Sequence, residues 1–373
     1  MGCRQGTLEG VGVIAVDFWR GRRVFLTGHT GFKGSWLALW LLQLGSKVSG
    51  YALAPNTSPN LFEAARVADG MAASTFADVR DPVVLAAALQ TASPEVVFHL
   101  AAQPLVRESY ADPVGTYATN VMGTVHLLEA VRQTPSVRAV VVVTTDKCYE
   151  NREWVWGYRE SDAMGGYDPY SSSKGCAELV TAAYRQSFFN PAQHLEHRVS
   201  VATARAGNVI GGGDWSADRL LPDLFRAMAD GVPVQIRNPL ATRPWQHVME
   251  PLLGYMVLAQ ALLEKGAELA QAFNFGPRAE DVWTVGQVAS HVCRNWEGAR
   301  WQQDQGSHPH EARSLALDVS KAAALLGWRP TLGVTDSLNL TTAWVKQHLA
   351  GADARQLTLR QILEFQNLIQ AKV

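Results

Sequence analysis

The sequence has few cysteines and no excess of either charge. Its four cysteines, Cys3, Cys148, Cys176 and Cys293, lack the Cys-x-x-Cys spacing of zinc ribbons and redox motifs. The 33 basic and 34 acidic residues give a formal net charge of −1, which excludes the electrostatic footprint of a DNA, RNA or anionic-membrane binder. We therefore expect reduced thiols, a cytoplasmic location, and no nucleic-acid or membrane partner.

Long hydrophobic runs and a targeting segment are also missing. The longest apolar runs are strand-length or amphipathic, so none is expected to span a bilayer. The start of the chain lacks a basic region, and Asp17 interrupts its short apolar run, which argues against a signal peptide. Residue 6 is Gly where a myristoylation signal needs Ser or Thr. We interpret residues 1–17 as a loose N-terminal extension.

Strand-like and helical patterns alternate through the first half of the chain. Strands are predicted at 22–28, 47–53, 74–79, 95–102 and 138–145, with helices at 31–45 and 81–90 and a long one from about Asp112. Such alternation is typical of parallel strands joined by right-handed crossovers. The predicted fold class is therefore α/β, a Rossmann-type doubly wound parallel sheet.

The alternation weakens after about Asn190. A strand is predicted at 199–211, isolated short strands at 233–236 and 272–276, and final helices near 334–349 and 356–370. We assign residues 18–198 mainly to the Rossmann domain. Residues 199–373 are assigned mainly to a smaller C-terminal lobe that lies across the strand ends, with some segments returning to the Rossmann core.

A glycine-rich loop, TGHTGFKG, connects the first predicted strand to the first helix. Gly28, Gly31 and Gly34 have the spacing GxxGxxG in the strand–turn–helix context that dinucleotide binding requires. Glycine lets the backbone approach a pyrophosphate, which the helix N-terminus attracts. The second strand lacks the usual acidic residue at its end, so this position does not decide between NAD and NADP. Asp78 either faces an adenine edge or caps the helix that starts near Pro82.

The fifth predicted strand ends in a cluster of polar groups. Its valine run is typical of a strand covered on both faces, and Thr145, Asp146 and Lys147 follow without a spacer. Open α/β sheets bind ligands at the carboxyl ends of their strands. The alternative for Asp146 and Lys147 is a turn with a surface ion pair, but the position after a buried strand favours an active site.

Tyr170 and Lys174 follow in a helical segment with Pro169 in its first turn. Their i, i+4 spacing places the phenol and the ammonium on one face. Nearby positive charge, from Lys174 and a nicotinamide ring, is expected to lower the pKa of the Tyr170 phenol and make it a usable base at neutral pH. A Tyr–Lys pair alone is usually inert, so its position after a glycine loop and five strands is what gives it weight.

Together these motifs resemble the extended short-chain dehydrogenase/reductases that act on nucleotide sugars. The resemblance covers roughly residues 18–330, and the stretches GHTGFKGSWL, TTDKCYENREWVWGY and ARAGNVIGGGDW are similar to the CDP-glucose branch of the 4,6-dehydratases. It implies a Rossmann-type domain that binds NAD, CDP-glucose as the substrate, and a role in deoxysugar and surface-polysaccharide synthesis. It also implies a homodimer made through a helix bundle, with a tetramer left open.

The resemblance further implies a role for each active-site residue. A 4,6-dehydratase oxidises C4, eliminates water across C5 and C6, and returns the hydride to C6. Tyr170 would take the O4 proton, with Lys174 beside it and Thr145 holding O4. Asp146 would protonate the departing C6 hydroxyl, and Lys147 would abstract the C5 proton. Many dehydratases on other nucleotide sugars have glutamate at the position of Lys147, and a lysine must lose its charge before it can act as a base.

The binding residues are assigned from the motifs and the resemblance. The expected cofactor contacts are Gly28, Thr30, Gly31, Phe32, Lys33, Gly34, Asp78, Val79, Leu100, Ala101, Ala102, Gln103, Tyr170 and Lys174. The expected substrate contacts are Gln103, Arg107, Asn208, Arg219, Arg243 and Arg313. Guanidinium groups pair bidentately with phosphates, although a surface ion pair is the alternative for Arg313.

For several aromatic and histidine residues, a purely structural role is the alternative to a functional one. Trp36 and Trp40, at helical spacing, are predicted to be core, whereas the loop residues Trp154, Trp215 and Trp245 could stack on a sugar or base. The group His308, His310 and Glu311 lies in a proline-containing loop without a second ligand set, so no metal site is expected.

Two other functions fit part of the pattern. A nucleotide-sugar 4-epimerase would need the Tyr–Lys pair but no acid and base at positions 146 and 147. A catalytically silent dinucleotide sensor would be expected to lack the Tyr–Lys pair or the strand-end hydroxyl, and both are present. The pattern by itself does not fix the nucleobase, so a 4,6-dehydratase of another nucleotide hexose also stays open.

Overall fold

The computed structural model describes residues 16–306 and 314–372. The strands are β1 (Arg23–Thr27), β2 (Lys47–Ala52), β3 (Ala73–Phe76), β4 (Val96–His99), β5 (Ala139–Val143), β6 (Ser200–Ala206), β7 (Val209–Ile210), β8 (Val234–Ile236), β9 (Thr242–Arg243), β10 (Gln246–His247), β11 (Ala272–Phe275), β12 (Trp283–Thr284) and β13 (Trp301–Gln303). Seven of them form one parallel sheet in the order β3-β2-β1-β4-β5-β6-β11. The predicted Rossmann-type sheet is therefore confirmed.

Helices cover both faces of this sheet and build most of the C-terminal lobe. They are α1 (Val16–Trp19), α2 (Phe32–Gln43), α3 (Leu61–Ala64), α4 (Pro82–Ala92), α5 (Val106–Ala111), α6 (Pro113–Tyr117), α7 (Gly123–Arg132), α8 (Pro169–Ser187), α9 (His194–His197), α10 (Leu220–Ala229), α11 (Met249–Lys265), α12 (Val285–Arg294), α13 (Ser320–Leu326), α14 (Val334–Leu349) and α15 (Ala354–Gln370). Within the two described ranges, no helix combines the length and the apolar character needed to cross a membrane.

The helix predicted from about Asp112 is divided. Asp112 caps α6, a π-helical turn spans Ala118–Met122, and α7 follows directly. Inside that turn the Asn120 side chain donates to the Gln103 carbonyl and to the Ser173 hydroxyl of α8. Sequence periodicity does not reveal such a local change of winding, because the tertiary partners of one residue decide it.

The strand pairings test two predicted isolated strands in the second half of the chain. The segment 272–276 was predicted as an isolated strand, but β11 pairs with β6 and forms an edge of the large sheet. A four-residue apolar pattern carries no information about its partner strand, which explains the error. Segment 233–236 does pair outside the large sheet, since β8 pairs with β13.

The core lies on the two faces of the large sheet. Trp36 and Trp40 of α2 are fully buried, as predicted, and Trp40 meets the edge of Phe365 on α15. A separate apolar cluster, which includes Leu224, Val288 and Leu338, holds the C-terminal lobe together. The large sheet therefore forms a rigid base, and its carboxyl edge faces the lobe.

Candidate active site

A cavity of about 1260 Å³ opens at the carboxyl edge of the large sheet. The loops after β1, β4 and β5 line one side, and residues 206–245 of the C-terminal lobe line most of the other. A site for one small ligand usually has roughly 300–1,000 Å³. The cavity thus has room for two ligands that meet at the strand ends.

The glycine loop forms the floor of this cavity where β1 runs into α2. Gly28 has a positive φ of 78°, and a Cβ added there would lie 2.8 Å from the Ala101 nitrogen. A Cβ on Gly34 would lie 2.0 Å from the Gly28 carbonyl oxygen. Only glycine fits at these two positions, and the resulting cradle at the start of α2 suits the pyrophosphate of a dinucleotide. Thr30, Gly31, Phe32 and Lys33 line the same wall.

The end of β5 carries the acidic and basic pair predicted there. Thr145 caps a short 3₁₀ turn, Asp146–Cys148, and its hydroxyl donates to Asp146 Oδ1 at 2.9 Å. Asp146 is fully buried, and its Oδ2 has no hydrogen-bond partner among the described residues. Thr145 and Lys147 line the cavity, whereas Asp146, which stands between them in the sequence, is not among the described residues that line it. This pair is therefore not a surface ion pair.

Helix α8 brings the second half of the site to the same place. Pro169 is its first residue, as predicted, and Asp168 caps it by accepting from the Ser171 amide at 2.9 Å. Tyr170 and Lys174 are both buried and both line the cavity. Lys174 Nζ donates to the Val143 carbonyl at the end of β5, 3.3 Å away. The strand end and the Tyr–Lys helix therefore converge.

The protein's own residues raise the pKa of the Tyr170 phenol, and the lowering expected from Lys174 together with a nicotinamide ring stays a prediction. Burial raises the pKa of the phenol to about 12, and the Asp146 charge acts in the same direction. The Thr145 side chain and the charge of Arg219 oppose this rise in the pKa. Burial also lowers the pKa of Lys174 to about 8. Removal from water thus outweighs the nearby cations in this part of the site.

Lys33 lies near the predicted catalytic groups, which its position in the glycine-loop motif does not indicate. Its ammonium donates to the Tyr255 hydroxyl at 2.9 Å. Burial lowers the pKa of Lys33 to about 7; the charges of Lys174 and Arg219 add to this effect, and Asp146 opposes it. No local sequence signal predicts that Lys33 and Asp146 lie near each other, because they are brought together only by the pairing of β1, β4 and β5.

The strand-end residues expected to hold a cofactor mostly line the cavity. Asp78, Val79, Leu100, Ala101 and Ala102 do so. The alternative for Asp78 as a helix cap is wrong, since Asp81 caps α4 and the Asp78 carboxylate binds Arg80 at 2.6 Å.

The side chain of Gln103 makes different contacts from those predicted for it. Its amide nitrogen donates to Thr116 Oγ1 at 2.9 Å and to the Leu105 carbonyl, while its oxygen accepts from the Leu105 amide. These bonds fasten the loop after β4 to α6. The side chain is not among the described residues that line the cavity, so the expected contact with ribose or sugar is not supported.

The predicted substrate residues lie on opposite walls of the cavity. Asn208, Arg219 and Arg243 line it from the C-terminal lobe, and Arg107 lines it from the loop after β4. Arg219 is held by Asp214 at 3.0 Å and acts electrostatically on Tyr170, so it lies near the predicted chemistry. Arg107 forms an ion pair with Asp218 at 3.0 Å.

Arg237 also lines the cavity and was missed by the sequence analysis. Its position directly after β8 was the available signal.

The loop tryptophans separate into two groups. Trp215 and Trp245 line the cavity. Trp154 packs against Tyr158, with ring centroids 5.0 Å apart, and is not among the described lining residues. Arg313 and the group His308, His310 and Glu311 lie outside the described residues. Among the described residues, no cluster of His, Cys, Asp or Glu has the arrangement of a metal site.

Comparison with known proteins gives a consistent set of matches. The GDP-mannose 4,6 dehydratase family model matches residues 25–206. The CDP-glucose 4,6-dehydratase of Salmonella typhimurium is 54% identical over 354 residues, which cover 95% of this chain and 98% of that protein. The dTDP-glucose 4,6-dehydratase of Streptomyces griseus is 27% identical over 69% of this chain and 73% of its own length.

Solved structures give the same picture of the fold. MoeE5 in complex with UDP-glucose and NAD has a TM-score of 0.72 at 25% identity, covering 87% of this chain and 99% of its own. DesIV, a dTDP-glucose 4,6-dehydratase from Streptomyces venezuelae with NAD and TYD bound, has a TM-score of 0.73 at 23% identity, covering 88% of this chain and 98% of its own. The match extends across both the sheet and the C-terminal lobe.

Proposed function

The chain belongs to the nucleotide-sugar 4,6-dehydratase family of extended short-chain dehydrogenase/reductases, and from this premise we propose that it converts CDP-D-glucose to CDP-4-dehydro-6-deoxy-D-glucose with NAD as cofactor. The observation that carries the proposal is the meeting of Lys147 and Tyr170 at one cavity, with the buried Asp146 directly before Lys147 and within electrostatic reach of Tyr170. A simple dehydrogenase or epimerase needs the Tyr–Lys pair but no acid and base at positions 146 and 147. The additional acid and base are what the loss of water requires.

The glycine cradle is the proposed site of the NAD pyrophosphate, and Asp78, Val79 and residues 100–102 would line the rest of the cofactor site. The chemistry that bound NAD would supply is reversible hydride transfer, from C4 of the sugar and back to C6. The residues of the chain would fix its orientation beside Tyr170 and Lys174. Calorimetric titration with NAD and NADP would test the choice between the two, because the end of β2 does not decide it.

Tyr170 is the proposed base for the O4 proton. The Thr145 side chain and the charge of Arg219 both act on the pKa of the phenol in the direction that favours the phenolate. A further positive charge next to the ring would act in the same direction against the effect of burial. Thr145 would hold O4 in line with the phenol, and Lys174 would keep a positive charge behind it.

Asp146 and Lys147 are the proposed acid and base of the elimination. Oxidation at C4 makes the C5 hydrogen acidic, and Lys147 would remove it as a proton. Hydroxide is a poor leaving group, so the C6 oxygen needs a proton, which the Asp146 carboxyl would donate. The unpartnered, buried Oδ2 of Asp146 supports this role, since no described residue competes for it.

The C-terminal lobe is the proposed site of the nucleotide and its phosphates. We propose that residues 18–198 mainly hold the cofactor and residues 199–373 mainly hold the nucleotide sugar. Asn208, Arg219 and Arg243 line the lobe side of the cavity, and Arg107 faces them from the Rossmann side. Guanidinium groups suit a diphosphate because their planar donors match its oxygens. Arg313 keeps its proposed role, although it lies outside the described residues.

A homodimer made through α6, α7 and α8 is the proposed assembly. Exposed apolar side chains lie along this face, including Val114, which is 78% exposed, and Leu179, which is 60% exposed. Apolar groups gathered on one face indicate a surface that another protein covers. Sedimentation of Leu179→Glu should show a shift toward monomer, whereas an unchanged sedimentation profile would contradict this interface. A tetramer and a cytoplasmic location stay predictions.

One assay tests the function directly. Purified protein with NAD is incubated with CDP-, dTDP-, UDP- and GDP-glucose, and the 4-keto product is detected by its ultraviolet absorbance in alkali. We expect CDP-glucose to react with the highest kcat/KM. Formation of CDP-galactose alone would indicate a 4-epimerase, and NAD binding without turnover of any nucleotide sugar would indicate a sensor.

A further inference from the structure

Glu178 and Arg205 form a buried ion pair behind the active site. Arg205 Nη2 lies 2.8 Å from Glu178 Oε2, and each side chain is only 2% exposed. Glu178 lies on α8 one turn after Lys174, and Arg205 lies near the end of β6. Neither is among the described residues that line the cavity. A buried ion pair is an unreliable source of stability because desolvation offsets its attraction, so its contacts are more informative than its presence.

On one side the pair is bonded to the end of β5. The hydroxyl of Thr144, the residue directly before Thr145, donates to Glu178 Oε1. The hydroxyl of Thr203 on β6 donates to Glu178 Oε2 at 2.7 Å. One carboxylate therefore joins β5 and β6 to the helix that carries the Tyr–Lys pair.

On the other side the pair is bonded to the residue that follows the catalytic turn. Arg205 Nη1 donates to the Tyr149 hydroxyl at 2.8 Å and to the Glu160 carbonyl at 3.2 Å. Tyr149 donates onward to Asn274 on β11 at 2.7 Å. Thr144 and Tyr149 bracket the segment 145–148, so the ion pair anchors both ends of the segment that holds the proposed acid and base.

We propose that Glu178 and Arg205 are positioning residues that clamp segment 145–148 against α8 and so fix Thr145, Asp146 and Lys147 relative to Tyr170 and Lys174. This inference rests on the proposed dehydration. The clamp acts through Thr144 and Tyr149, and neither member of the pair touches the substrate. Its physical basis is that small displacements of reacting groups reduce rates steeply.

Glu178 also supplies the negative charge nearest to Lys174 on the same helix. Burial lowers the pKa of Lys174, and the Glu178 charge is the first of the opposing influences, followed by Cys148. His99 and Lys33 also interact electrostatically with Lys174. Removing the Glu178 charge therefore lowers the pKa of Lys174 further, so the ammonium is lost at a lower pH. The alkaline limb of the rate profile should move in the same direction.

The experiment compares Glu178→Gln with a matched pair of threonine variants in the NAD-loaded enzyme. Thr144→Val and Thr203→Val each remove one hydroxyl from the same carboxylate, but only Thr144 adjoins the catalytic segment. We expect Glu178→Gln and Thr144→Val to lower kcat for CDP-glucose by about 10- to 100-fold with little change in KM, and Thr203→Val to stay within about twofold of the wild type. Equal losses in the two threonine variants would overturn the clamp.

A second readout separates positioning from general loss of structure. Glu178→Gln should shift the alkaline limb of the pH–kcat profile down by about one unit, whereas Thr144→Val should leave it in place. A folded Glu178→Gln variant with an unshifted limb would overturn the electrostatic part. If Glu178→Gln does not fold, as judged by circular dichroism, the threonine pair still decides the clamp. A wild type without activity on any nucleotide-glucose would instead refute the proposed function.

Discussion

The ammonium of Lys174, one turn after the Tyr170 phenol on helix α8, donates to the carbonyl of Val143 at the end of strand β5, 3.3 Å away. This bond connects the two halves of the cavity wall. It also places the phenol next to the segment with the proposed acid and base. The proposed first and second steps of the reaction therefore share one small volume, which a single hexose can occupy.

Replacing Tyr170 by Phe should slow C4 oxidation by about 10²–10⁴-fold, because the base for the O4 proton is removed. A substrate deuterated at C4 should then show a large isotope effect on kcat. Tyr184→Phe is the matched control, since its phenol lies on the same helix and donates to Glu129 at 2.7 Å, outside the cavity lining. An unchanged rate of C4 oxidation in Tyr170→Phe would remove this residue as the base.

Asp146→Asn should leave C4 oxidation measurable while slowing the loss of water by about 10²–10⁴-fold. The amide cannot donate a carboxyl proton to the leaving oxygen, although it keeps the size of the side chain. Solvent deuterium should still exchange into C5, because Lys147 is unaltered. Asp162→Asn serves as the control, because the Asp162 carboxylate accepts from the Arg159 amide at 2.8 Å and has no proposed part in the reaction. Equal loss of oxidation and elimination would contradict the assigned role.

Lys147→Gln should give the complementary result. Removal of the C5 base should abolish deuterium exchange at C5 and the overall product, while C4 oxidation continues. Mass spectrometry of the recovered nucleotide sugar after incubation in D₂O measures both outcomes. Should exchange at C5 persist in Lys147→Gln at the rate seen in Asp146→Asn, another residue must be the base.

Two glycines of the cofactor loop should respond differently to alanine. Gly34→Ala places a Cβ 2.0 Å from the Gly28 carbonyl oxygen, so the loop must move and the thermal midpoint should fall. At Gly31 the nearest atom would be 3.4 Å from the new Cβ, so Gly31→Ala should fold like the wild type and weaken NAD binding instead. Thermal unfolding without NAD and calorimetry with NAD distinguish the two effects. Equal thermal midpoints for the two variants would contradict the packing argument.

Glu250 should make the stability of the fold depend on pH. Burial raises the pKa of this carboxyl to about 7; bonds from the Leu332 and Thr331 amides and the charges of Lys372 and Arg278 oppose the rise. A raised folded-state pKa favours folding at low pH, and this contribution is lost as the pH rises from about 4.5 to about 7. The loss should be on the order of 3 kcal/mol.

Glu250→Gln is the test of that dependence. The amide oxygen can still accept from Thr331 and Leu332, whose amides lie 2.9 and 2.6 Å from Glu250 Oε1. The variant should therefore show a free energy of unfolding that varies less with pH between 5 and 8 than the wild type, as measured by urea titration. The same slope in both proteins would show that Glu250 is not the titrating group.

Much of the fold could be predicted from the sequence because the sequence signals for it are local. The valine run of β5, the glycine spacing after β1 and the capped start of α8 each depend on neighbours within a few residues. These segments gave the parallel sheet, the cofactor loop and the two halves of the candidate site. The partner of β11 and the π-helical turn at Asn120 were missed, since both depend on contacts with distant parts of the chain.

The sequence by itself therefore determined which elements form and which chemical groups they carry. Thr145, Asp146 and Lys147 follow β5, and Tyr170 and Lys174 lie on α8. Only the tertiary structure decided how those groups behave. It turned Gln103 inward, brought Lys33 near Asp146, and raised the pKa of the Tyr170 phenol through burial. The physical reason is that desolvation and the choice of hydrogen-bond partner depend on which segments surround a side chain, and those segments are far away in the sequence.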